Sequence, residues 1–282
     1  MNIQWFPGHM AKTRRIITEN LKLVDIVVEL LDARIPSSSA NPIIDELISH
    51  KPRVIALNKS DMADKAATAL WIAHYKSKGI TAVAIDSITG RGLNTLKDVI
   101  KSTLAEKTKR EMEKGMRERS ARMMVVGIPN VGKSSFINRL CGRAGTKTGD
   151  RPGVTTAKQW IRVAGGYELL DTPGILWTKF DELAAINLAF TGAIKDDVYD
   201  YSEVACLLCS YLAKNNGQQF KEKYKLNDIS GMQGHEILFE MGKKRGCLIA
   251  GGDVDYDRIA RILLDEFRGC KIGNITLERP ME

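Results

Sequence analysis

Gly127-Ile128-Pro129-Asn130-Val131-Gly132-Lys133-Ser134 is the stretch that decides the fold. It matches G-x-x-x-x-G-K-[ST] in full. It comes after the apolar run Met123-Met124-Val125-Val126 and opens onto a predicted helix from Ser134. A strand, a glycine loop and a helix in that order make a phosphate cradle. The glycines let backbone N–H groups wrap an anion, and the helix turns its positive end towards it. Lys133 is expected to meet the β- and γ-phosphates, and the Ser134 hydroxyl to bind Mg2+. The nucleotide-binding set here runs through Asn130, Val131, Gly132, Lys133, Ser134 and Ser135.

Roughly seventy residues upstream, the strand-like run Arg53-Val54-Ile55-Ala56-Leu57 ends at Asn58-Lys59-Ser60-Asp61. The Asp61 carboxylate suits guanine, because it accepts from both N1–H and the exocyclic amine. Adenine has no proton on N1, so the match fails. Polar pairing of this kind discriminates by about 10⁴-fold, because the wrong base leaves buried groups unpaired. Asn58 is expected to brace the loop and Lys59 to lay its stem along the base. A third strand, Thr81 to Ile85, leads into Asp86-Ser87-Ile88-Thr89-Gly90, where a backbone and Ser87 contact to the base belongs.

Downstream of the phosphate loop, Asp171-Thr172-Pro173-Gly174 ends another predicted strand. Asp171 is expected to hold Mg2+ through water, and the Gly174 N–H to sense the γ-phosphate. Pro152-Gly153-Val154-Thr155-Thr156 offers hydroxyls to the metal; Thr155 is the choice, with Thr156 the alternative. In an ordinary GTPase the phosphate loop precedes the base reader. Here the order is reversed, which points to a circularly permuted GTPase.

Predicted strands at 25–34, 53–57, 81–85, 123–126, 158–163 and 167–170 alternate with helices at 42–50, 64–78, 93–106 and from 134. Alternation of this kind gives a mainly parallel sheet, with ligands at the carboxyl ends of its strands. Residues 106–122 are highly charged and read as a solvated helix or linker. After about residue 178 the strand signal fades, and helices are expected at 181–195, 202–214, 234–244 and 255–268. The expected architecture is therefore α/β: a circularly permuted P-loop GTPase domain over 1–178, then a smaller all-helical domain over 179–282.

With these motifs in place, the chain resembles the YlqF/ribosome biogenesis GTPase A family. The resemblance rests on Trp5-Phe6-Pro7-Gly8-His9-Met10, Asp32-Ala33-Arg34-Ile35-Pro36, Gly149-Asp150-Arg151-Pro152-Gly153, Asp171-Thr172-Pro173-Gly174-Ile175-Leu176-Trp177 and Lys244-Arg245-Gly246-Cys247-Leu248. It runs essentially end to end. It implies a GTP/GDP switch in late assembly of the large ribosomal subunit, with the subunit precursor and its rRNA as partners. A monomer off the ribosome is expected.

Catalysis needs a substitute for the water-orienting glutamine of Ras-like enzymes, because that position is Ile175, which cannot hydrogen-bond. Slow hydrolysis alone, and stimulation by the ribosomal particle, are expected. His9 is one candidate, since a neutral imidazole can orient or deprotonate water; the alternative is that it packs or contacts RNA. Asn130 is the other. In related GTPases an asparagine here helps hold K+, which adds positive charge where the transition state needs it; the alternative is loop bracing. Loss of the γ-phosphate is expected to move residues 174–180 and reorient residues 181–282.

The formal net charge is +8, which favours an acidic partner. Lys221, Lys223 and Lys225, with Lys243, Lys244 and Arg245, form two basic clusters suited to a phosphate backbone. Two other functions compete with the leading one: a passive RNA-binding scaffold that holds GTP structurally, and a GTPase of RNA modification or translation. No apolar run approaches the roughly 18 residues of a membrane span, and no secretory signal is visible. A cytoplasmic protein is expected, with no membrane partner. Five scattered cysteines argue against a disulfide framework. Cys206 and Cys209 are expected to be buried core thiols.

Overall fold

The computed structural model describes residues 8–48, 51–115, 119–142, 160–163, 166–170 and 181–280. Six strands form one sheet: β1 (Ile26–Asp32), β2 (Arg53–Asn58), β3 (Thr81–Ala84), β4 (Ala121–Gly127), β5 (Trp160–Val163) and β6 (Tyr167–Leu170). Their order is β3-β2-β1-β4-β6-β5. All neighbours are parallel except β5 and β6. Every residue of β1 is buried, as befits a parallel strand covered on both faces.

The helices of this unit are α1 (Gly8–Leu21), α2 (Pro36–Ser39), α3 (Pro42–Leu47), α4 (Lys65–Ser77), α5 (Leu93–Glu113) and α6 (Lys133–Cys141). Asn41 caps α3 by accepting from Ile43 N at 3.0 Å, with Pro42 in the first turn. Ile17 and Leu21 of α1 pack with Ile44, Val27, Met124 and Val126. Trp71 and Tyr75 of α4 pack with Leu31, Ile55 and Leu57. On α5, Leu93, Leu96, Ile100 and Leu104 are buried at helical spacing. The second half of α5 lies in the charged stretch. Glu106–Arg110 and Lys107–Glu111 pairs run along it, and Lys107 reaches the Asp25 carboxylate. Arg119 and the Arg122 N–H meet the same carboxylate. Burial alone would raise Asp25; these partners outweigh it and hold the carboxyl well below its usual range.

The sheet unit also takes in residues 276–280, where the sequence predicts the end of the helical domain. Among the described residues, 181–275 belong to the other compact unit. In chain order the helical unit is an insertion within the sheet unit.

The helical unit contains α7 (Glu182–Phe190), a 3-10 turn at Asp196–Val198, α8 (Tyr201–Asn215), α9 (Gly217–Tyr224), α10 (Gly234–Lys244) and α11 (Tyr256–Arg268). Its core takes Val204, Leu208 and Leu212 from α8, Ile237, Leu238 and Met241 from α10, and Ile259, Leu263 and Leu264 from α11. Gly234 lets α10 approach α8, since a Cβ there would collide with the Cys206 carbonyl. The helix expected at 181–195 stops at Phe190. Gly192 takes a left-handed φ of 72°. Arg268 donates to the Ala189 and Phe190 carbonyls at 2.9 and 3.2 Å, satisfying the helix end. Of the C-x-x-C pair, Cys209 is buried but Cys206 is partly exposed, which corrects the expectation of two core thiols. Among the described residues, no helix is long and apolar enough to cross a membrane.

Candidate nucleotide-binding site

The register that pairs Asp32 with Asn58 and Leu30 with Gly127 brings the carboxyl ends of β1, β2 and β4 to one edge. The chain builds β1, β2 and β3 outward on one side, then returns to place β4 on the other. Between β1 and β4 the order reverses, and such a reversal opens the crevice where ligands of these sheets bind. Asn58–Asp61 leaves β2 and Gly127–Ser134 leaves β4 at that edge.

The two motifs are joined through side chains. Asn58 Nδ2 donates to the Val131 carbonyl at 2.7 Å. Asn58 Oδ1 accepts from Ser87 N and Ser87 Oγ at 3.1 and 2.7 Å. One buried amide thus ties together the loops after β2, β3 and β4. Gly132 sits at φ 98°, and a Cβ there would collide with Asn58 Nδ2. Its glycine is required twice, by conformation and by space. Gly127 is similarly confined, since a Cβ there would lie 2.7 Å from the Leu30 carbonyl.

Lys59 adopts a left-handed φ of 59° and reaches two partners, the Asn130 carbonyl at 2.8 Å and Asp32 Oδ2 at 3.0 Å. Asp32 is in turn clamped by Arg34, whose Nε and Nη2 donate at 2.9 and 2.7 Å. Burial would raise the Asp32 carboxyl, but the charges of Arg34 and Lys59 outweigh it and keep it well below the usual carboxylate range. Burial pulls the Lys59 ammonium below its ordinary value, while Asp32 and Asp61 oppose that pull. Asp32 and Arg34 are legible in the sequence only as part of a family motif; their work of anchoring Lys59 appears in the structure.

Lys133 heads α6, and its Nζ donates to the Gly127 and Ile128 carbonyls at 3.0 and 2.9 Å. Ser134 and Ser135 come next in the first turn, both partly exposed at the crevice. Asn130 is exposed at φ 56°. Asp86 folds its own loop by accepting from Ile88 N at 2.8 Å and from Thr89 N at 3.2 Å, an Asx turn that presents Ser87. His9 falls in the first turn of α1. Thr155, Thr156, Asp171, Gly174 and Ile175 lie outside the described residues. Among the described residues, no cluster of His, Cys, Asp or Glu is arranged to hold a metal. Of the expected Mg2+ ligands the structure thus describes only the Ser134 hydroxyl, at the head of α6 beside Lys133.

In the helical unit the two basic clusters meet at Glu266. Arg245 donates to both its oxygens at 3.0 Å, Lys223 lies 3.9 Å away, and Tyr224 donates at 2.8 Å. Lys243 sits 4.1 Å over the Phe239 ring and 3.6 Å from Glu240. Lys221 and Lys223 occupy the last turn of α9, and Lys243 and Lys244 that of α10. Part of this charge therefore answers the negative ends of the two helices. Lys225 and Lys244 are exposed.

Comparison with known proteins points one way. A family model described as 50S ribosome-binding GTPase matches residues 122–230. Ribosome biogenesis GTPase A of Bacillus cereus is 51% identical over 283 residues, spanning 100% of this chain and 95% of that protein. A GDP-bound structure of TM YlqF matches with a TM-score of 0.70 at 29% identity, covering 95% of this chain and 100% of that one. GNP-bound YlqF from T. maritima matches with a TM-score of 0.65 at 28% identity, covering 96% and 99%.

Proposed function

The chain belongs to the ribosome biogenesis GTPase A family and is a GTPase of ribosome biogenesis; from that premise we propose that it is a switch in late assembly of the large ribosomal subunit, slow alone and stimulated by the ribosomal particle. The observation that supports the nucleotide-binding part of the reading is the joining of base reader to phosphate loop by Asn58 and Lys59, through Val131 and Asn130, and the ribosomal part rests on the relatives. A site so joined holds base and phosphates of one nucleotide in fixed register.

In this reading Asp61 accepts from guanine, Lys59 underlies the base, and Asn58 and Ser87 fix the surrounding loops. Backbone N–H groups from Asn130 to Ser135 wrap the phosphates, and Lys133 exchanges its loop carbonyls for phosphate oxygens. Ser134 and Thr155 would hold Mg2+, with Asp171 reaching it through water, and the ion would supply charge neutralisation at the phosphates. Gly174 senses the γ-phosphate. His9 orients the attacking water, and Asn130 helps hold K+. The basic residues Lys221, Lys223, Lys225, Lys243, Lys244 and Arg245 contact rRNA. The protein works as a cytoplasmic monomer when off the particle.

GTP hydrolysis in potassium buffer, with and without purified large subunits, tests this in wild type and His9→Ala. Stimulation by the subunit, lost in the variant with GTP binding intact, is expected. Stimulation kept in His9→Ala would move the catalytic burden to Asn130 and K+ or to the particle. No stimulation in wild type would remove the subunit as activator.

A further inference from the structure

Five anchors of the loop that carries Asp61 bear on its position, and four of them belong to the permuted nucleotide fold itself. Asn58 is tied to Val131 and Ser87. Lys59 is tied to Asp32 and Asn130. Ser60 N donates to the Ile85 carbonyl at 3.1 Å, and Met62 N closes a turn on the Lys59 carbonyl at 2.9 Å. The fifth anchor comes from far along the chain. Asp64 N donates to Thr276 Oγ1 at 3.0 Å, across 212 residues.

Thr276 is buried, and its hydroxyl faces two ways. Besides accepting from Asp64 N, it lies 3.4 Å from the Ala33 carbonyl, to which it donates. Ala33 N in turn donates to the Asn58 carbonyl at 2.8 Å. One hydroxyl therefore spans the far end of the base loop and the turn that supplies Asp32 and Arg34.

The residues after Thr276 hold it there. Leu277 N donates to the Arg34 carbonyl at 2.8 Å. The Glu278 carboxylate accepts from Ser37 N and Ser38 N at 2.6 and 3.0 Å and from Ser38 Oγ. Trp71 Nε1 donates to the Glu278 carbonyl at 3.2 Å, and Arg279 reaches Asp64 Oδ1 at 3.2 Å. Residues 276–279 thus form a strap across the outer wall of the base loop. Neither end of that loop is held by α4 alone.

We propose that Thr276 is a positioning residue for guanine recognition: the strap sets where Asp61 sits by fixing Asp64 and the Asp32–Arg34 turn. The inference rests on the reading of Asn58–Asp61 as the base reader. Without the hydroxyl, Asp64 N–H loses its partner on the strap and the Ala33 carbonyl loses its donor, so Asp64 keeps only Arg279 and its cap of α4 and is no longer joined to the Asp32–Arg34 turn. Contacts to the amine and N1–H of guanine then weaken, while those to the phosphates stay.

The test compares dissociation of fluorescent GDP and of inosine diphosphate, which lacks the 2-amine, from the full chain. Thr276→Val keeps shape and removes the hydroxyl; Thr276→Ser restores it. Thr276→Val is expected to release GDP about 5-fold faster, the worth of one buried hydrogen bond. Inosine diphosphate release should change less, so the preference for GDP shrinks, and Thr276→Ser should behave as wild type. An unfolding curve on each variant separates positioning from general weakening. Unchanged GDP release in Thr276→Val would overturn the proposal. So would equal acceleration of both nucleotides with a matching loss of stability. Asp61→Asn run alongside distinguishes the premise: if that variant keeps the preference for GDP, the base reading itself is wrong, and the role of the strap falls with it.

Discussion

Asn58 and Val131 lie 73 residues apart in sequence, yet the Asn58 side chain donates to the Val131 carbonyl at 2.7 Å inside the protein. The bond joins the loop proposed to read a base to the loop proposed to wrap phosphates. It uses a carbonyl of the phosphate loop, so it fixes that loop without consuming any N–H needed for an anion. Permutation moves the loops in sequence but leaves this bond possible, because β2 and β4 both flank β1.

Replacing Asn58 by alanine removes the bond to Val131 and both bonds from Ser87. At about 1 kcal/mol for each of the three buried bonds, GDP affinity should fall by roughly 100- to 200-fold. Titration of a fluorescent GDP analogue against wild type measures this, with circular dichroism to show that the fold persists.

Asp61→Asn exchanges an acceptor for a donor where guanine presents donors. GDP binding should weaken by on the order of 10²- to 10⁴-fold, since the base is left with unmatched groups. Xanthosine diphosphate, with a carbonyl in place of the amine, should become the preferred ligand. A competition assay between the two nucleotides reads the switch directly.

Glu29 and Arg53 form a buried ion pair under the sheet. Burial pushes the Glu29 carboxyl up, against the pull of Arg53. Arg53→Met strands the carboxylate, at a cost of about 3–5 kcal/mol near neutral pH. Without Arg53 the carboxyl rises further, so the folded protein holds its proton to higher pH than the unfolded chain does. The loss is therefore smallest below the ordinary carboxylate range and grows as pH rises. Urea midpoints at about pH 4.5 and 7.5 should differ more from wild type at the higher pH.

Asp32 carries the opposite sign, because its partners hold its carboxyl below the ordinary value. Its contribution is complete above about pH 4 and is lost as pH falls through the lowered value. Thermal unfolding at constant ionic strength should show wild type losing stability below about pH 4 more steeply than Asp32→Asn.

Lys221, Lys225 and Lys244 are the test of the basic face, since Lys223 and Arg245 lie on Glu266. Changing all three to alanine should weaken rRNA binding and lower its salt slope by roughly two to three. Filter binding across a salt series gives the slope. An unchanged slope would assign these lysines to the helix ends alone.

The strands are legible in the sequence because buried parallel strands are short apolar runs between loop signals, as in Val54–Leu57. The loop motifs are legible because glycine, lysine and asparagine at fixed offsets carry backbone chemistry. α9 escapes because only Phe220 and Tyr224 are buried on it, too few to show a period. The second half of α5 has no apolar stripe beyond Leu104, so its charge reads equally as linker. The strap escapes for a different reason: it has no regular secondary structure and meets its partners over 200 residues upstream. The switch residues Thr155, Asp171 and Gly174 fall outside the described residues, and their roles stay with the proposal.

The central place of β1 has a consequence for a chain still being made. Among the described residues β1 is the first strand to leave the ribosome, and β2 and β3 add to one side of it only. Its other side waits until Ala121–Gly127 has been synthesised. During that interval a seven-residue strand, buried throughout in the finished protein, is an open apolar edge. At about 5–20 residues per second the exposure lasts for seconds. Arrival of β4 covers the open side of β1 and delivers the phosphate loop in one event, while β4 keeps its own open side until β6 pairs with it.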